Sequence, residues 1–302
     1  MRLRILRFTA VVALVAGSVL AGPVAEAAPV TAAATTASAA PYDYYLALGD
    51  SLAFGIQPNA AGAQIKSGRG YADDLAAYLR AHGDPGLGFV DLACPGETTG
   101  TMLNGGCSNL AASGQTYQVQ SDAAAAFLAA HRTARILVTL NVGADNVVHC
   151  KSGFLGLPCI AKGEAAAGVQ LPQILARLKQ ASGPGTDFLG MNYYDPVLSQ
   201  WLTGAGGRAV AVDSVAGFVA LFGVLDAGFA LFGIMVADVS GAFKTTDFTD
   251  QASFNGAVVP VNVANVCTLT FACTPAPVGP NIHANDSGYQ VMAAAFEAKL
   301  PN

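Results

Sequence analysis

Short apolar runs of strand length alternate along this chain with longer stretches whose apolar residues recur at helical spacing. The runs Tyr44–Leu48, Gly88–Leu92, Ile136–Val142, Phe188–Asn192 and Ile234–Val239 predict five strands. The stretches between them predict helices over Tyr71–Ala81, Tyr117–Ala130, Ala165–Gln180 with a bend near Pro172, and Val210–Ala230. A last helix is expected over Asp286–Lys299, with Asn285 as its N-cap. Alternation of this kind builds an α/β protein, a three-layer α/β/α sandwich around a five-stranded, mainly parallel sheet. The segment Val215–Val236 is almost wholly apolar, but Asp226 near its middle and four interrupting glycines suit a helix packed on a sheet. No stable membrane insertion is expected from it.

The N-terminus changes the picture of where this domain works. Arg2, Arg4 and Arg7 precede a short apolar run, Phe8–Leu20, and Ala25-Glu26-Ala27 offers a cleavage site of small residues. Residues 1–28 therefore read as a signal peptide, 29–41 as a disordered Ala/Thr/Ser-rich leader, and 42–302 as one domain. With 53% hydrophobic residues, that length is ample for a single core. A net charge of −5 without any Lys/Arg cluster argues against nucleic acid or an anionic membrane surface as partner. A secreted monomer is the expectation.

An even cysteine count in an exported chain points to disulfides. The six fall in three close pairs, Cys94 with Cys107, Cys150 with Cys159 and Cys267 with Cys273. Of the connectivities open to six cysteines, sequential pairing closes three short loops and is the one expected. No C-x-x-C occurs and His149 is the only imidazole beside a cysteine, so no metal is expected.

In an open parallel sheet, chemistry gathers where the strand C-termini converge. Four predicted strands run into polar turns there: Gly49-Asp50-Ser51-Leu52, Cys94-Pro95-Gly96-Glu97-Thr98-Thr99, Gly143-Ala144-Asp145-Asn146 and Tyr193-Tyr194-Asp195-Pro196. Gly49-Asp50-Ser51-Leu52 resembles the GDSL block of the SGNH hydrolases, the run containing Gly96 is similar to their second block, and His283-Ala284-Asn285-Asp286-Ser287-Gly288-Tyr289 resembles the H-x-N-x-x-G-Y block near the C-terminus. Order and spacing agree across the whole of residues 42–302.

The resemblance implies a serine esterase working through an acyl-serine intermediate without a cofactor, and the apolar helix Val210–Ala230 with the Gly-rich loops suits an acyl or lipid ester as substrate. Ser51 would attack and His283 would take its proton, because a serine hydroxyl needs a base within hydrogen-bond reach. The backbone amides of Ser51 and Gly96 would hold the oxyanion. The family's third block carries an asparagine donor, G-x-N-D, and here the last two residues are exchanged. Asn146 is expected to replace that donor, with Asp145 turned away, since an ionised carboxylate facing the oxyanion would repel it. Where the family places an aspartate behind the histidine, this chain has Pro280 and Asn281, and a main-chain carbonyl of Pro280 or Gly279 is the expected acceptor for Nδ1–H.

The remaining histidines read otherwise. His82 and His131 fall at predicted helix C-termini, where an imidazolium suits the dipole, and His149 falls in a disulfide-closed loop. Asp195-Pro196 reads as a turn. Two other functions fit the same residues: a binding protein on a degenerate hydrolase scaffold, and an acyltransferase using an acceptor other than water.

Overall fold

A computed structural model describes residues 41–150 and 156–301. The predicted signal peptide, and all of the predicted leader except residue 41, lie outside the described residues. Strand β1 (Tyr44–Gly49) is buried along nearly its whole length and leads directly into the short helix α1 (Ser51–Phe54). A hairpin of β2 (Ile56–Pro58) and β3 (Gln64–Lys66) follows, then α2 (Tyr71–Ala81), β4 (Gly88–Asp91), α3 (Thr99–Asn104), α4 (Gln120–Ala130) and β5 (Ile136–Asn141). The second half contains α5 (Leu157–Ala181), β6 (Thr186–Met191), α6 (Ala205–Ala230), β7 (Met235–Ala237) and α7 (Val239–Ala242). A second hairpin, β8 (Gln251–Phe254) with β9 (Ala257–Pro260), precedes α8 (Val261–Leu269) and α9 (Asp286–Glu297).

The five predicted strands form one parallel sheet in the order β4-β1-β5-β6-β7. The chain starts in β1, steps outward to β4, then returns past β1 to β5, so the connections reverse direction between β1 and β5. In open α/β sheets the crevice at such a reversal is the natural ligand site. β5 is buried at every position, as a central parallel strand covered on both faces must be. Helices α2 and α9 pack together, with Tyr71 stacked on Phe296 at 4.9 Å, while α5 packs with α3, α4 and α6.

Two helices begin earlier than the pattern of apolar positions predicts. α5 begins at Leu157 because Pro158 falls in its first turn, where a missing N–H costs nothing. Pro172 sits within it. α6 begins at Ala205 and takes Gly206 and Gly207 into its first turn. Its C-terminal half carries the packing, with Leu221, Phe222, Leu225, Gly228 and Phe229 buried. By length and composition α6 is the one helix among the described residues able to cross a membrane. The three disulfides are Cys94–Cys107, Cys150–Cys159 and Cys267–Cys273.

Candidate active site

The end of β1 is fixed by polar side chains reaching across the fold. Gly49 has φ +139, and a Cβ there would run into the Asn141 carbonyl, so only glycine suits the position. The Gln120 side chain of α4 acts as a strand partner for Gly49, accepting from its N–H at 2.7 Å and donating to its carbonyl at 3.0 Å. Asp50, 2% exposed, caps α1: its Oδ1 accepts from Leu52 N at 2.9 Å and from Asn141 Nδ2 at 2.6 Å, and its Oδ2 accepts from Tyr193 OH at 2.8 Å. Asn141 in turn accepts from Tyr71 OH at 2.8 Å. One polar chain thus joins α2, β5, β1 and the end of β6, and Ser51 is the residue it presents.

A cavity of about 40 Å3 opens at this point, lined by Ser51 and His283 together with Asp50, Leu52, Ala144, Asp145, Val148, Tyr193, Tyr194, Pro196, Phe218 and Ile282. No hydrogen bond joins Ser51 Oγ to His283 among the described residues, and the two face the same space. Unliganded catalytic pairs commonly sit apart in this way and tighten on substrate. The histidine loop is held from two sides. Phe271 N donates to the His283 carbonyl and Asn281 N to the Phe271 carbonyl, each at 3.0 Å, while Tyr194 OH donates to the Ile282 carbonyl at 2.5 Å. Cys267–Cys273 closes the opposing segment.

The acceptor behind His283 is the Asn281 side chain rather than a carbonyl of Pro280 or Gly279. Asn281 Oδ1 lies 2.7 Å from His283 Nδ1 and accepts from His283 N at 2.9 Å. A backbone N–H can only donate, so the amide atom facing it must be the oxygen. That orientation makes Nδ1 the protonated nitrogen and leaves Nε2 as the free base. Burial holds the imidazole neutral, lowering its pKa to about 4.

Asp145 and Asn146 part company in space. Asp145 lines the cavity. Asn146 points into the scaffold: its Oδ1 accepts from Thr99 N at 3.0 Å, and its Nδ2 donates to Thr99 Oγ1 at 2.7 Å and to the Gly163 carbonyl at 3.2 Å. Its amide is therefore spent on tying the turn after β5 to α3 and α5. Gly96 adopts φ +86, a conformation that favours glycine, and its N–H, like that of Ser51, takes no partner among the described residues.

Three carboxyl groups crowd this region. Burial pushes Asp50 up, against three hydrogen bonds that favour its charged form. Burial lifts Glu97 to about 7; its Oε2 accepts from Gln120 Nε2 at 2.8 Å and its Oε1 has no partner. Burial, then the charge of Glu97, lifts Asp145 to about 6. Cys94, Glu97 and Cys107 lie close together, but the sulfurs are joined in a disulfide and leave one carboxylate, which is not a metal site.

The other singled-out residues have structural places. Asp195 caps the turn of helix at Pro196–Thr203 and accepts from Val197 N at 2.8 Å and Ser214 OH at 2.6 Å. His82 and His131 cap α2 and α4, each with Nδ1 2.8 Å from the carbonyl one turn back. His149 is largely exposed, with Nε2 3.9 Å from Asp145 Oδ1. Beside the small cavity lies a larger one of about 630 Å3, which shares Val148 and Phe218 with it and is otherwise mostly apolar, with Val147, Leu157, Ile160, Val197, Val210 and Val212 among its walls.

The fold is found in solved structures. An extracellular lipase from Streptomyces rimosus superposes with a TM-score of 0.52 at 19% identity, over 84% of this chain and 98% of that one. The chain has the SGNH-hydrolase fold. A phospholipase A1 from Streptomyces albidoflavus gives 0.49 at 17% identity, over 86% of this chain and 100% of that one. An acetylxylan esterase from Geobacillus stearothermophilus gives 0.49 at 13%, over 86% and 94%. No protein-family model and no curated protein matches the chain.

Proposed function

We propose that this SGNH-fold chain is a secreted serine esterase that hydrolyses acyl or lipid esters. The observation that carries this reading is the shared cavity at the sheet reversal, onto which Ser51 and a neutral, tautomer-fixed His283 both face. In acylation the Ser51 oxygen bonds to the ester carbonyl carbon, its proton passes to His283 Nε2, and the carbonyl electron pair moves onto oxygen. The free amides of Ser51 and Gly96 hold that oxyanion; removing one such donor from an enzyme costs about 10²–10³ in rate. Collapse expels the alcohol, which takes the proton from His283, and water then repeats the sequence on the acyl-serine to release the acid. No step calls for a cofactor.

The apolar cavity at Val148 and Phe218 favours a substrate with an acyl chain, since burying it there gains about 0.8 kcal/mol per methylene. The Streptomyces rimosus lipase is extracellular, and three disulfides suit an oxidising compartment. Together with the basic-then-apolar N-terminus they support export and cleavage near residue 28, leaving one domain over residues 42–302.

A fluorophosphonate probe tests the assignment. Covalent labelling of the folded protein, lost in Ser51→Ala together with ester hydrolysis, is the expected result. Folded protein that takes no label would favour a binding protein on this scaffold. That second reading has one observation in its favour, a carboxyl group at Asp145 where an anion must form. Adding an alcohol acceptor separates hydrolysis from acyl transfer: free acid should remain the main product.

A further inference from the structure

Two backbone amides are a sparse oxyanion site, and the amide of Asn146 is committed to Thr99 and Gly163. The side chain that occupies the corresponding wall of the cavity is Asp145, which is 13% exposed and makes no hydrogen bond among the described residues. A carboxylate at that place would oppose the reaction. A carboxylic acid would assist it, because the protonated form owns an O–H donor.

Burial favours the neutral form of all three neighbouring carboxyls. Asp50 receives three donors on its two oxygens, which favour its charged form, yet burial and the charge of Asp145 raise it to about 7, above Asp145 at about 6. Asp145 receives none, and burial and the charge of Glu97 oppose its ionisation. The remaining titratable groups around it are Tyr193 and Tyr194 after β6, His283 in the loop before α9, and His149 one turn along its own segment. Lys162 and Glu164 flank Gly163 on α5, and Asp213 on α6 lines the adjoining cavity. His149 is the basic group with a recorded approach, 3.9 Å, and it is 79% exposed, so water screens its effect.

We propose, resting on the esterase reading above, that Asp145 works as a neutral acid whose O–H donates to the substrate carbonyl oxygen as that oxygen becomes an oxyanion. Asp145 keeps its proton throughout; bond making and breaking stay with Ser51, His283 and the ester. A carboxylic acid held neutral by its site so that it can donate to an oxyanion is established chemistry in other enzymes. The consequence is a protein built for acidic surroundings. His283 is a free base above about pH 4, and Asp145 holds its proton up to about pH 6.

The test is kcat/KM against pH for a soluble short-chain ester. The wild-type chain should give a bell with its maximum near pH 5, falling about tenfold per pH unit on the alkaline side. Asp145→Asn supplies a donor that does not titrate. It should lose the alkaline limb and exceed the wild type by about 100-fold at pH 8. Asp145→Ser, a smaller neutral donor, reads the same limb if the amide variant folds poorly. A wild-type rate that holds level to pH 8, or an alkaline limb that persists in both variants, overturns the proposal. Fluorophosphonate labelling run alongside separates the two ideas. Labelled Ser51 with a flat alkaline profile removes the role of Asp145 alone, whereas absence of label in the wild type and in both variants at every pH removes the esterase reading and this proposal together.

Discussion

Replacing Asn281 by aspartate should turn a weak histidine base into a strong one. In the native chain the partner of His283 Nδ1 is an uncharged amide oxygen at 2.7 Å, and burial lowers the imidazole to about 4. Asn281→Asp sets a carboxylate at the same distance, with charge centres about 4 Å apart. At an effective dielectric constant of about 20 this attraction is about 4 kcal/mol, or roughly three pK units in favour of the imidazolium. The His283 titration should therefore move from about 4 to about 7. The assay is NMR: the ring Cε1–H of each of the four histidines is followed from pH 3 to pH 9, with His283 assigned by its disappearance in His283→Gln. This readout does not depend on turnover, which matters because a fourth carboxylate will also raise Asp145 and blur any rate profile. The opposite substitution, Asn281→Leu, removes the acceptor and frees the tautomer. In a serine protease a wrong tautomer costs about 10⁴ in rate, and a loss of roughly 10²–10³ is expected here, where no buried charge is lost with it. An unshifted His283 titration in Asn281→Asp, or an Asn281→Leu rate equal to wild type, would refute the account of how this histidine is held.

Two further outcomes follow from the site's surroundings. Glu97 is raised from the carboxylate range to about 7, so between about pH 4.5 and 7 the unfolded chain has released a proton that the folded chain retains, and stability falls as pH rises through that window. Glu97→Gln should match the wild type near pH 4 and be more stable by at most about 3 kcal/mol at pH 8, measured by urea unfolding; equal pH slopes in both proteins would contradict the burial of that charge. Val148→Phe narrows the junction between the small and the large cavity. Excluding about three methylenes there removes about 2.4 kcal/mol, so kcat/KM for a long-chain ester should fall about 50-fold relative to an acetyl ester, and an unchanged ratio would mean that acyl chains do not enter that space.

The sheet was legible because each of its five strands is a local feature, a short apolar run ended by glycine or a polar residue. The turns that carry Ser51 and His283, one where β1 stops and one before the last helix, are local features too, as is the turn after β4 that carries Gly96. What escaped is what depends on pairing between remote segments. Tyr71, Gln120 and Asn141 hold the turn at Ser51 through bonds spanning 70 to 91 positions, and no local pattern announces such partners. A signal did exist for Asn141, an amide closing the otherwise apolar run of β5. Asn281 carried one as well: an asparagine two residues before His283 has the spacing of an Asx-turn, in which its side chain takes the later N–H. Reading that turn would have led to the amide oxygen instead of a carbonyl. The order Asp145 then Asn146 could not be resolved from letters alone, because one step along a tight turn decides which side chain meets the cavity and which meets Thr99.

The polar chain from Tyr71 through Asn141 and Asp50 to Tyr193 lies wholly inside the hydrophobic interior and fastens two neighbouring strand ends and the turn leaving a third. Opening the turn at Ser51 requires breaking bonds that also lock those strands, so its hydrogen-bonded amides, such as that of Leu52, belong among the last to exchange with solvent rather than with the surface loops. Ser51 is thereby placed on a firmly braced part of the molecule, and variation in the shape of the adjoining cavity is left to the walls contributed by α5 and α6.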